Sequence, residues 1–206
     1  MTTAQTLRNH IQSLQLGKPF TNERLLKAGT RTAVDKCLSR FTREGMLHRL
    51  AQGVYMRPKE NAFIGTVMPE ISEILHVITR HHGETIEVHG AEAARRFKLT
   101  TQMPTTPVYY TNGPSRTLKI GKIMVKLMHT TSHRRLQFAG KRQGLALSAL
   151  WYLGKDNVTA TTIEKIQVGL SAEEYQSLKR ANIPAWMSHA LNDKMANNQK
   201  TDNHYD

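Results

Sequence analysis

Between Thr30 and Gly45 the chain reads TRTAVDKCLSRFTREG, and Val34, Cys37, Leu38 and Phe41 recur at i, i+3, i+4 and i+7. That spacing predicts one buried stripe on a helix, with Arg31, Thr32, Asp35, Lys36, Ser39, Arg40 and Arg43 on the opposite face. Thr30 suits the N-cap and Gly45 the stop. Directly afterwards, LHRLAQGVYMRP sets two short apolar and basic runs around Ala51-Gln52-Gly53, a three-residue hairpin loop with glycine where a left-handed backbone is wanted. A hairpin this small is marginal in water. It must therefore share a core with the helices before it, which restricts the fold sharply.

Those helices are legible upstream. Leu7, Ile11 and Leu14 share one face of a first helix that should end near Gly17. PFTNERLLKAG predicts a second, with Thr21 as N-cap, Leu25 and Leu26 on the apolar face and Gly29 at the C′ position. Three short helices closed by a basic hairpin describe a winged helix-turn-helix, whose third helix enters the DNA major groove. Arginine can read guanine O6 and N7 in a bidentate way, and lysine and hydroxyls can hold phosphates. On this reading Arg31, Thr32, Lys36, Ser39 and Arg40 face the major groove. Arg43 and the wing residues Arg49, Gln52 and Arg57 hold phosphates or reach the minor groove. A solvated helix face has a similar composition, and it is the hairpin that favours DNA. Cys37, on the buried stripe, reads as a small core residue.

Charge points the same way. The net charge is +13, and residues 1–59 hold 11 Lys/Arg against 3 Asp/Glu, whereas residues 141–206 hold 8 against 7. A basic segment that also folds suggests a polyanion partner, nucleic acid before membrane. No apolar run approaches a membrane span and no apolar signal segment opens the chain. Cys37 is the only cysteine, so neither an intrachain disulfide nor a Cys-based metal cage is expected, and a cytoplasmic protein is the expectation.

From residue 60 onward the pattern changes. KENAFIG reads as a short link. PEISEILHVITRHHG predicts a helix beginning at Pro69, TIEVHG a short strand, and Ala91–Leu99 a helix. Pro107–Thr111, Thr117–Ile120 and Ile123–His129 read as strands, the last two joined at Gly121-Lys122. Lys119, Lys122 and Lys126 ride on that hairpin, either as a supplementary nucleic-acid contact or as a solvated sheet face.

GKRQGLALSALWYLG predicts a core helix. Thr161-Thr162-Ile163-Glu164 and Ser171-Ala172-Glu173-Glu174 each read as a capping box, and Pro184 opens a last helix carrying Trp186, Met187 and Leu191. Trp151, Tyr152, Trp186 and Met187 read as an apolar surface for a dimer or partner or, for Trp151 and Trp186, as core residues, the core reading being favoured at Trp151. The expected fold class is thus α+β: a winged helix over 1–59, an α+β domain over 60–140, a helical region over 141–195 and a disordered tail over 196–206.

RLAQGVYMRP, followed by HGAEAARRFKLTTQMPTTPVYYTNGPSRTLKIGKIMVKLMHTT, resembles the AbiEi-like antitoxins of type IV toxin–antitoxin systems over roughly Leu7 to Leu136. Gly53-Val54-Tyr55 and TNGPSRTLKIG carry the resemblance most specifically. It implies a transcriptional repressor that binds inverted repeats in its own promoter, where a pseudo-palindromic operator would hold two protomers, and that counteracts a neighbouring AbiEii-like toxin of nucleotidyltransferase-like fold. Direct contact with that toxin does not follow from family membership, and the helices after residue 140 match the family pattern less clearly.

Enzymatic motifs are sparse. His81 and His82 are adjacent rather than at i, i+4, and H-E-x-x-H is missing. His129 and His133 have no nearby acid, and Glu84 and Glu87 have no lysine in an E-x-K arrangement. There is no P-loop or dinucleotide fingerprint. No catalytic residue, metal or cofactor is therefore expected. The rival readings are an interaction module that sequesters a toxin and a nucleic-acid-processing enzyme docked by its winged helix.

Overall fold

The computed structural model describes residues 2–193. Its elements are mixed α and β, and they group into two compact units. The first contains the chain up to Glu84 together with Thr117–Val125; the second contains Thr85–Arg116 and the chain from Lys126.

The first unit opens with α1 (Thr3–Ser13), β1 (Pro19–Thr21), a 3-10 helix over Asn22–Ala28 and α2 (Arg31–Arg43). β2 (His48–Ala51) and β3 (Val54–Met56) follow and pair antiparallel, and β1 pairs with β3 on its other side, giving the order β1-β3-β2. Leu7 and Ile11 of α1, Leu25, the α2 stripe Val34, Leu38 and Phe41, and Phe20, Leu47 and Tyr55 form one buried cluster. Cys37 is only partly buried at its edge. Thr30 caps α2 by accepting from the Ala33 N–H. At the other end Gly45 takes φ +74°, and the Met46 and Leu47 N–H groups both turn back to the Phe41 carbonyl.

Several local expectations are corrected. The second helix is a 3-10 helix, and Thr21 gives it no side-chain cap because its backbone is engaged in β1, opposite Val54. Gly29 has φ 167°, an extended backbone open to any residue. Its need for glycine is spatial: a Cβ there would lie 2.7 Å from Thr3 Cγ2. The turn between β2 and β3 is two residues long rather than three. Ala51 pairs with Val54, and the extra residue appears as a bulge between Arg49 and Ala51.

KENAFIG is a small hairpin, β4 (Glu60–Asn61) with β5 (Gly65–Thr66), which leaves Phe63 96 % exposed. The helix expected at Pro69 is α3 (Ile71–His81), with Glu70 at its N-cap position. It belongs to the first unit, so the division falls at residue 84 rather than 59. The Lys18–Glu73 ion pair at 2.9 Å and the contact of His81 with Glu23 tie it there.

The second unit begins with β6 (Ile86–Val88) and α4 (Gly90–Arg96), followed by β7 (Val108–Thr111). β6 and β7 pair antiparallel, and β7 pairs parallel with Lys126–His129 of β9 (Ile123–His129), in a sheet of order β6-β7-β9-β8 whose β8 (Arg116–Ile120) and the start of β9 fall almost wholly in the first unit. Helices α5 (His133–Leu136), α6 (Arg142–Leu153), α7 (Ala160–Val168), α8 (Ala172–Lys179) and α9 (Ala185–Asn192) follow. Ala93, Phe97, Leu147, Leu150, Ile166, Leu178 and Met187 are among its core residues. Trp151 and Trp186 pack against that core partly buried, and Tyr152 is 44 % exposed.

α4 lies hard against α6 at Gly90, where a Cβ would come within 2.3 Å of the Tyr152 Cβ. The capping box of α7 is built by Thr159 and Thr162, two residues before the expected one, whereas Ser171 and Glu174 cap α8 as expected. Pro184 occupies the N-cap position of α9 rather than its first turn. The expected tail over 196–206 lies outside the described residues.

Candidate nucleic-acid interface

With Val34, Leu38 and Phe41 turned into the core, the outward side of α2 is determined. Thr32, Lys36, Ser39 and Arg43 follow one another at i, i+4, i+7 and i+11, directly opposite the buried stripe, and all four are exposed. Lys36 and Arg43 make no ion pair among the described residues. Arg31 and Arg40 are exposed on the flanks of this face. Arg31 lies 3.9 Å from Asp35, and Arg40 lies 3.8 Å from Glu44 and over the Phe41 ring. Exposed pairs of this kind are weak and exchangeable.

Asp35 is the one acid on the outward side of α2. The buried Asn22 amide donates to it at 3.1 Å. Burial pushes the Tyr55 phenol up, while Arg49 pulls it down and Asp35 pushes it further up. On the wing, Arg49 and Gln52 are exposed, and the turn is held by the Asn22 N–H donating to the Gly53 carbonyl at 2.9 Å. Gly53 has φ +71°, and a Cβ there would also press on Asn22 Oδ1 at 3.2 Å.

Two further cations join this face. The Gly121 N–H donates to the Leu50 carbonyl at 2.9 Å, so the tip of the β8–β9 hairpin meets β2 there and brings the exposed Lys119 and Lys122 near the β2–β3 hairpin. In the sequence the Gly-X turn marks a hairpin there, but nothing in it marks the attachment to a strand seventy residues earlier.

Arg57 behaves differently from the other sequence candidates. It is half-buried, and its Nη1 donates to the Gln12 and Leu14 carbonyls at 2.5 and 2.6 Å. It closes the C-terminal end of α1, where carbonyls lack intrahelical partners and a cation is favoured. Arg57→Ala should lower stability by about 1–2 kcal/mol in urea titrations, because it leaves the Gln12 and Leu14 carbonyls at the end of α1 without the Nη1 donor. The salt dependence of any DNA binding should stay unchanged.

The remaining polar candidates have local duties. No group of three or more His, Cys, Asp or Glu side chains is placed to hold a metal ion among the described residues. The His81 and His82 rings meet edge to face at 4.9 Å, and His129 Nδ1 lies 2.9 Å from the Gly113 carbonyl. Glu87 is 3 % exposed and accepts from the Val88 and Gly140 N–H groups. No described helix is long and apolar enough to cross a membrane.

Comparison with curated proteins finds no match. Among solved structures the chain is similar to the crystal structure of the RV2827C protein from Mycobacterium tuberculosis, with 13 % identity and a TM-score of 0.42 over 93 % of this chain and 77 % of that one. A family model matches over residues 6–178, most of the chain and parts of both units. The chain belongs to DUF6088, a family of unknown function.

Proposed function

We propose that the first unit is a winged helix-turn-helix that binds double-stranded DNA, and that the protein is a transcriptional repressor. α2 enters the major groove, with Thr32, Lys36, Ser39 and Arg43 toward base edges and phosphates and Arg31 and Arg40 on the flanks. Arg49 and Gln52 of the wing, with Lys119 and Lys122 beside it, follow the adjoining phosphate backbone. Arg57 closes the C-terminal end of α1 and is assigned no phosphate. The observation that carries this reading is the outward stripe of α2, two cations and two hydroxyls without a carboxylate partner among them, set next to an arginine-bearing hairpin.

The resemblance to AbiEi-like antitoxins supplies the first operator to test, an inverted repeat upstream of the protein's own gene. On such a repeat two protomers would lie about one DNA turn apart. In the same proposal the repressor is the antitoxin of a nucleotidyltransferase-like toxin.

Titration of the full chain into that duplex, followed by fluorescence anisotropy, tests the DNA reading. Saturable binding is expected at 50 mM salt, and raising salt to 200 mM should weaken it by about three orders of magnitude if some six phosphates are neutralised. Absence of a complex at the lower salt overturns the proposal.

A further inference from the structure

In the second unit, an arginine with no acid at ion-pair distance among the described residues lies over two aromatic rings. The Arg135 guanidinium carbon lies over Tyr110 at 5.3 Å from the ring centre and over Trp151 at 4.9 Å. β7 supplies Tyr110, α5 supplies Arg135, α6 supplies Trp151 and Tyr152, and the residue capping α4 supplies His89. The His89 ring is 5.0 Å from Tyr110 and meets Tyr152 edge-on at 6.1 Å. Five side chains from four elements thus converge.

Their polar groups are almost all donors. His89 Nδ1 accepts the Ala91 N–H at 3.3 Å, so the neutral ring carries its proton on Nε2. Burial, and then Arg135, hold that ring below the ordinary histidine range. The Tyr110 hydroxyl is 3.5 Å from Arg135 Nη1, and the buried Trp151 indole N–H finds no acceptor among the described residues. Glu87 faces Tyr110 across the β6–β7 ladder, but its oxygens are occupied by the Val88 N–H at 2.8 Å and the Gly140 N–H at 3.1 Å. The cluster therefore has a cation and several donors but no anion of its own.

Both rings meet the guanidinium through their π faces, and apart from the Nη1 contact with the Tyr110 hydroxyl its N–H groups remain as donors along the in-plane edge. That edge matches two oxygens of a phosphate or carboxylate. A carboxylate has two oxygens, whereas a phosphate offers a third for His89. The half-exposed Tyr152 ring beside His89 is a stacking surface for a nucleobase. We propose that this cluster binds a nucleoside monophosphate, with the phosphate on Arg135 and His89 and the base on Tyr152. Neither the DNA reading nor the residues of the first unit are needed for it.

The experiment is a tryptophan-fluorescence titration of the full chain, in a Trp186→Phe background so that Trp151 alone reports. Adenosine monophosphate should give a saturable change, and inorganic phosphate should bind about tenfold more weakly because it lacks the stacked base. Arg135→Lys should weaken the nucleotide about tenfold, since it keeps the charge and loses the fork. His89→Asn should weaken it too while keeping a cap for α4. Unchanged circular dichroism and melting of both variants would separate lost binding from lost fold.

Equal responses from wild type and Arg135→Lys overturn the proposal. Equal affinities for nucleotide and inorganic phosphate overturn the base contact and with it the nucleotide assignment. A response to hexaglutamate but not to phosphate makes the site a carboxylate receptor and also overturns it. So does loss of duplex DNA affinity in Arg135→Lys without any nucleotide response.

Discussion

Replacing Lys36 and Arg43 together by alanine should weaken binding to the operator duplex by about two orders of magnitude, or roughly 3 kcal/mol. Both side chains leave the helix directly opposite the buried residues Val34, Leu38 and Phe41, so truncating them removes no core contact. The melting temperature should therefore stay that of the wild type. The salt dependence separates two roles. A residue that neutralises a phosphate lowers the logarithmic salt slope by about 0.9, whereas one that reads a base relaxes sequence preference without that change. Arg40→Ala should cost less, because Arg40 lies on the flank and is already shared with Glu44 and the Phe41 ring. Binding by the double variant at wild-type strength, measured by anisotropy, would sink the assignment of α2 as the reading helix.

Stability should fall as pH rises from 5 to 8, and Glu87→Gln should remove about 3 kcal/mol of that fall. Burial pushes the Glu87 carboxyl from 4.5 up to about 7, outweighing the N–H bonds from Val88 and Gly140 and the attraction of Arg96, which pull it down. The folded chain thus keeps a proton that the unfolded chain releases near pH 4.5. The resulting stabilisation is complete below that value and is lost as pH rises through about 7. His89 acts in the opposite sense. Its lowered value means that folding resists protonation of the ring, so its contribution is lost as pH falls below the ordinary histidine range. The difference between wild type and variant isolates the carboxyl. The glutamine amide turns one donor toward a backbone N–H, a penalty that does not vary with pH, so the quantity to read from urea titrations is the slope rather than the level. Parallel pH profiles for the two proteins would show that Glu87 titrates as an exposed acid.

Much of the first unit was legible in the sequence because its elements are specified by short-range chemistry. The stripe of α2, its Thr30 cap and the Gly53 turn each involve residues within a few positions of one another. β1 escaped notice because three residues carry no period, and its strand state comes from pairing with β3, more than thirty residues away. For the same reason Thr21 looked like a cap and Arg57 looked like a free cation. Both are recruited by distant backbone, the one by Val54 and the other by the end of α1. In the candidate interface the helix face could be read from spacing, whereas Lys119 and Lys122 could not be placed at the wing without the Gly121–Leu50 bond. The Arg135 cluster draws on residues spread from His89 to Tyr152, and no local pattern links them.

The interleaving of the two units along the chain has a consequence for how the protein is made. A ribosome that has released residue 84 has not yet delivered Thr117–Val125, the segment of the first unit whose Gly121 bonds β2 at Leu50. Until then the outer edge of β2 carries backbone groups able to seek another strand. No single cut of the polypeptide separates the units either, so fragments ending after β3 are poor stand-ins for the first unit, and point substitutions in the full chain dissect it more cleanly.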